Sequence, residues 1–141
     1  MVMRTSAAEW LGGVPDGNGK VSLGSGAFTG SYSFGSRFEE GVGTNPEELL
    51  GAAHASCFSM ALSLLLTKAG NTPRRIGTEA MVHIERIDGG FEITRIELVT
   101  EAEVPGLDAD AFSRHAQSAK RDCPVSKALA GVEIGLTATL R

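Results

Sequence analysis

The chain has 141 residues, 42% of them hydrophobic and 21% charged, with a net charge of −4. That composition suits one ordinary soluble domain, residues 1–141, with enough apolar material for a core. No basic cluster marks a phosphate-backbone partner, which argues against nucleic acid. The opening "MVMRTSAAEWLGG" contains no apolar h-region, so no secretory signal is expected and a cytoplasmic address follows.

Many of the 18 glycines fall in the first 43 positions, a sign of turns and hairpins. The stretch "GKVSLGSGAFTGSYSFGSRFEE" places Val21, Leu23, Ala27, Phe28, Tyr32 and Phe34 between glycines, and short strands joined by turns are the natural reading. Trp10 belongs to an initial strand.

A long helix follows. Asn45 suits its N-cap, Pro46 its first position, and Glu48 completes a capping-box-like start. Lys68 suits the last turn and Gly70 the C′ position, with Pro73 beyond. The expected helix ends near Ala69, about 24 residues and roughly 36 Å long. Leu49–Leu66 carries no formal charge. It touches the length of a membrane span, but its glycines, alanines and serines and His54 make a core helix the better reading, with no membrane. Because its apolar residues cover nearly every face, it should be buried all round. So short a chain does not cover such a helix alone, and a second subunit would.

"GTEAMVHIERIDGGFEITRIELVTEAEV" predicts a hairpin, with Ile96, Leu98, Ala102 and Val104 on one face. A helix starts near Asp108 with Phe112, Ala116 and Ala119 on its apolar stripe. A short helix follows in "PVSKALA". A last strand turns Val132, Ile134, Leu136, Ala138 and Leu140 inward. The fold class is α+β.

The chemistry centres on the only two cysteines, Cys57 and Cys123, which lie 66 positions apart. That spacing is too long for a CxxC motif, and His54, His83 and His115 are scattered, so a metal site has little support. Cys57 sits in the long helix as either core filler or a nucleophile. Cys123 falls at the N-cap of the short helix, where the helix dipole favours a thiolate, with Lys120 and Arg121 close in sequence. His54, three residues before Cys57, could form a Cys–His pair, although a helix histidine bonded to something polar is the simpler reading. A buried thiol has a raised pKa, so a reactive Cys57 needs a cation from outside its helix. Arg37 in "GSRFEE" is the candidate. Glu47 is the freer of the two helix-mouth acids to hold it, unless both acids merely complement the dipole.

Taken together, "SRFEE", "GTNPEELLGAAHASCFSMALSLLL", "AGNTP", "GGFEIT", "VPGLDADAF" and "DCPVSKAL" resemble the osmotically inducible protein C branch of the OsmC/Ohr family, from about Trp10 to Leu140. The resemblance implies a thiol-dependent peroxidase acting on organic hydroperoxides, and less well on hydrogen peroxide, in oxidative and osmotic stress. It implies an intertwined homodimer, with antiparallel sheets packed around a long buried helix and active sites at the subunit interface. It makes Cys57 the peroxidatic cysteine and Cys123 the resolving one, joined in a disulfide during turnover, with Arg37 and Glu47 organising the pocket. An earlier arginine such as Arg4 is the alternative cation. No cofactor or metal is implied, and an external dithiol, such as a lipoyl protein or thioredoxin, is the reductant. The rival readings are a Cys57–His54 hydrolase and a non-catalytic small-molecule-binding protein.

Overall fold

A computed structural model describes all 141 residues. The chain divides into two compact units, Met1–Leu49 and Leu50–Arg141.

The first unit holds three short antiparallel strands in sequential order: β1 (Ser6–Leu11), β2 (Asn18–Leu23) and β3 (Thr29–Tyr32). Trp10 lies in β1, and its ring meets Tyr32 at 5.4 Å between centroids. Phe34 does not continue the strand pattern. Residues Phe34–Phe38 instead form a short helix, α1. The cause is local: Ser33 accepts the Ser36 N–H while the Ser36 hydroxyl accepts the Ser33 N–H, a reciprocal cap that starts a helix. Beyond it, Gly43 has φ +130°, and a Cβ there would lie 2.6 Å from the Ser31 carbonyl oxygen. Only glycine lets the chain pass so closely. The next residue then docks on β3 through Thr44 N–H to Ser31 O at 2.8 Å.

Helix α2 spans Pro46–Lys68, one residue shorter than expected. Asn45 Oδ1 caps it by accepting the Glu48 N–H at 2.7 Å. The Glu48 carboxylate takes the Thr44 hydroxyl rather than closing a capping box. The helix ends in a Schellman motif at Gly70 (φ +88°), with Asn71 N–H to Leu66 O and Gly70 N–H to Thr67 O.

The second unit packs α2 and α3 (Ala109–Asp122) against a sheet of β4 (Arg75–Ile87), β5 (Gly90–Glu103) and β6 (Glu133–Leu140). The β4–β5 hairpin turns at Asp88-Gly89 as expected, with a register shift at His83/Ile84. Strand β6 runs parallel to β5, so the sheet is mixed rather than antiparallel. Parallel pairing needs a crossover, and α3 with the short α4 (Pro124–Ala128) supplies it.

Phe58, Leu62 and Leu66 of α2, Ile96, Leu98 and Ala102 of β5, and Phe112, Ala116 and Ala119 of α3 make one core cluster. Thr100 occupies an inward position of β5 and is fully buried. Its hydroxyl bonds Gly77 O and Thr78, which in turn bonds Ser59 of α2, so the polar group is satisfied.

Within one chain, α2 is not buried all round. His54, Phe58, Leu62 and Leu66 form its buried stripe, while Met60 is 76% and Leu64 55% exposed. By length and composition α2 could cross a membrane, with mean hydropathy 1.7 over its most apolar stretch. Core helices of soluble proteins meet the same test.

Candidate active site

The first unit brings Arg37 and Glu47 together. Arg37 Nε lies 3.1 Å from each Glu47 carboxylate oxygen, and an Nη lies 2.6 Å from Oε1. Glu47 is only 6% exposed, while the arginine remains partly open and also stacks its guanidinium over Phe38 at 5.1 Å. A forked guanidinium–carboxylate contact of this kind is charge-assisted and fixes orientation. Ser36 makes it possible. Its hydroxyl donates to Thr44 O at 2.7 Å, and its carbonyl accepts Asn45 Nδ2 at 3.1 Å. These bonds tie α1 to the start of α2, so residues ten positions apart meet.

The second unit brings the two cysteines together. Both are free thiols, and their sulfurs lie 2.8 Å apart in a hydrogen bond. A disulfide bond is about 2.05 Å, so closure requires less than an ångström of approach. Cys57 is half-buried and Cys123 fully buried. Cys123 is both the last cap of α3 and the first of α4, and its side chain caps neither backbone. Lys120 and Arg121, expected beside it, are engaged elsewhere: Lys120 Nζ with Ile134 O, and Arg121 with Asp122 at the surface.

Burial, and then the hydrogen bond with Cys123, push the Cys57 thiol above its ordinary value, while the backbone N–H of Val125 works the other way. The groups hydrogen-bonded to this sulfur are thus a thiol and an amide, neither of them a cation. Val125 was not legible as a site residue. Its amide reaches the sulfur only because Pro124 and the short α4 place it there, and no local pattern encodes that contact.

His54 does not pair with Cys57. It is fully buried, its Nε2 lies 2.8 Å from Ser126 Oγ, and its Nδ1 has no hydrogen-bond partner. A Cys–His dyad is therefore absent, which removes the geometric support for the hydrolase reading. Burial lowers the His54 pKa from its ordinary 6.5, so the unfolded residue binds a proton at a pH where the folded one does not. Its contribution to stability is full above about pH 6.5 and is lost as pH falls through the folded value. His54→Gln, which cannot titrate, should flatten that part of the stability–pH curve in urea unfolding. An unchanged acid slope would mean that other groups carry it.

The family model described as OsmC-like protein matches residues 39–137, and the chain belongs to that family. Over 129 residues it is 50% identical to Peroxiredoxin OsmC of Escherichia coli strain K12, covering 91% of this chain and 90% of that protein. It is 36% identical over 101 residues to the Organic hydroperoxide resistance protein of Xanthomonas axonopodis pv. citri, covering 71% and 68%. The crystal structure of an organic hydroperoxide resistance protein from Elizabethkingia anophelis superposes with a TM-score of 0.69 at 27% identity, covering 99% of this chain and 96% of that one.

Proposed function

We propose that this protein is a thiol-dependent peroxidase that reduces organic hydroperoxides to alcohols, and hydrogen peroxide less well, in defence against oxidative and osmotic stress. The observation that carries the reading is the pair of free thiols 2.8 Å apart, from positions 66 residues apart, in a chain of the OsmC-like family. Cys57 is the peroxidatic residue because it is the accessible sulfur of the two, and Cys123 the resolving one because it is buried against it.

The Cys57 thiolate attacks the distal peroxide oxygen. An S–O bond forms, the O–O bond breaks, and the alkoxide takes a proton and leaves as alcohol, with Cys57 oxidised to a sulfenic acid. Cys123 attacks that sulfur. The S–S bond forms, the S–O bond breaks, and hydroxide leaves as water. An external dithiol, such as a lipoyl protein or thioredoxin, returns two electrons and two protons by exchange and is itself oxidised to a disulfide. The cycle requires no metal or prosthetic group. Since Cys57 needs a cation to offset its desolvation, Arg37, held by Glu47, is assigned that role. It stabilises the thiolate and the charge developing on the peroxide. In this reading residues 1–141 are one catalytic domain.

Titrating peroxide against thiols tests this reading. One equivalent of cumene hydroperoxide should remove two thiols per chain and yield one alcohol. Thiol loss without alcohol formation would overturn it.

A homodimer is part of the same proposal. Met60 and Leu64 of α2 and Met81 of β4 are exposed apolar side chains of the second unit, and a second copy would cover them. Sedimentation should give about twice the 14.7 kDa chain mass at micromolar concentration, and a monomer there would count against the dimer. A resting state with reduced cysteines and a dithiol partner suits the cytoplasm.

A further inference from the structure

We propose that His54 and Ser126 are positioning residues for disulfide closure: their hydrogen bond holds α4 on α2 and so keeps Cys123 and the Val125 amide against the Cys57 sulfur. The inference deepens the peroxidase reading and rests on it for its catalytic meaning.

Two side-chain rungs join α2 to the α3–α4 corner. One is Cys57–Cys123 and the other His54–Ser126, both 2.8 Å long. His54 precedes Cys57 by three residues and shares its side of α2, while Ser126 follows Cys123 by three and Val125 by one. The second rung therefore stands one helical turn from the reacting sulfurs on both elements.

Helix α4 has five residues, far too few to be stable without tertiary contacts. Its Pro124 donates no hydrogen bond, and the Cys123 side chain does not cap it. Something outside α4 must set its position, and the His54–Ser126 bond is buried at both ends, with His54 0% and Ser126 6% exposed. The tautomer follows from the hydrogen bonds. Nδ1 is buried without a partner, and a bare lone pair there costs less than an orphaned N–H, so Nε2–H donates to Ser126 Oγ. Burial also disfavours the imidazolium, so the donor remains a neutral N–H.

The step served is sulfenic acid plus thiol giving disulfide plus water. It demands the Cys123 sulfur in line with the Cys57 S–O bond that breaks, and a misplacement of about 1 Å can cost about 10²-fold in rate. Loss of the rung should also withdraw the Val125 amide, which favours the Cys57 thiolate.

The test compares wild type, His54→Leu, Ser126→Ala and His54→Gln, in which the glutamine amide can still donate near the Nε2 position. Sulfenic acid lifetime is read by dimedone trapping after one equivalent of cumene hydroperoxide, and the Cys57 alkylation rate is read against pH. His54→Leu and Ser126→Ala should lengthen the lifetime about 10- to 10²-fold and move the alkylation profile to higher pH. His54→Gln should restore both towards wild type. Lifetimes and profiles equal to wild type in both disrupting variants would overturn the proposal, whatever their melting temperatures. Should His54→Leu fail to fold, Ser126→Ala, which loses one hydroxyl, decides alone. Disulfide closure driven by diamide reads the same geometry without peroxide. A wild type inert to peroxide would defeat the peroxidase reading, while slower diamide closure in the variants would still uphold the positioning role and unchanged closure would still refute it.

Discussion

Cys57→Ser is expected to consume no cumene hydroperoxide above the uncatalysed background, whereas Cys123→Ser is expected to consume a first equivalent per chain and not turn over, any further loss under excess peroxide being over-oxidation of Cys57. The difference follows from the positions of the two sulfurs. Cys57 is half-buried and can meet a peroxide, and Cys123 is fully buried behind it. Serine at 57 removes the more accessible of the two thiols, and a hydroxyl is not a comparable nucleophile at neutral pH. Serine at 123 leaves the first step intact but removes the partner 2.8 Å away that would expel hydroxide from the sulfenic acid. Cys57 should then remain trappable with dimedone and over-oxidise to sulfinic acid under excess peroxide. In the wild type, mass mapping should find an intrachain Cys57–Cys123 peptide and little dimedone adduct. Full turnover in Cys57→Ser would end the assignment. Only intersubunit crosslinks in oxidised wild type would end the two-cysteine cycle while leaving Cys57 as the nucleophile.

Arg37→Met should lower the rate of peroxide attack by about 10²–10³-fold, the usual cost of removing a group that stabilises developing charge. Burial and the neighbouring thiol both raise the Cys57 pKa, and the Val125 amide opposes them only in part. Without the guanidinium, Cys57 should need higher pH to react, so its alkylation profile should shift upward relative to wild type. The single substitution also orphans a carboxylate. Glu47 is 6% exposed and would lose its forked partner, at a cost of about 1–3 kcal/mol. Arg37→Met/Glu47→Gln separates the two effects. It removes the buried charge with its partner, so stability should return while reactivity stays low. An alkylation profile in the single variant that matches wild type would move the catalytic cation elsewhere, with Arg4 the next to replace.

Much of this architecture is written in local sequence. Asn45 and Gly70 bracket α2, Asp88-Gly89 turns the β4–β5 hairpin, and Asp108 caps α3, because each of these residues satisfies backbone groups within a few positions of itself. The inward residues of β5 and the buried stripe of α3 also follow from their periods of two and 3.6. The candidate residues were equally legible as types: two thiols, an arginine close before the helix with Arg4 as its alternative, and two acids at the helix mouth.

The tertiary structure decided what depends on distant partners. Phe34 reads as strand by its apolar spacing, but the Ser33–Ser36 cap and the bonds from Ser36 to Thr44 and Asn45 turn that segment into helix and carry Arg37 to Glu47. The direction of β6 is invisible in its own alternation, since parallel and antiparallel strands share the same period, and it is set by the crossover through α3 and α4. The apolar length of α2 announces burial but not on which side. The sheet and α3 cover only the stripe from His54 to Leu66. His54 shows the limit most directly. Its spacing from Cys57 suggests a catalytic pair, yet its hydrogen bond goes to Ser126, 72 positions away, because a helical side chain at i−3 lies alongside its neighbour and must find its partner on whatever packs above it.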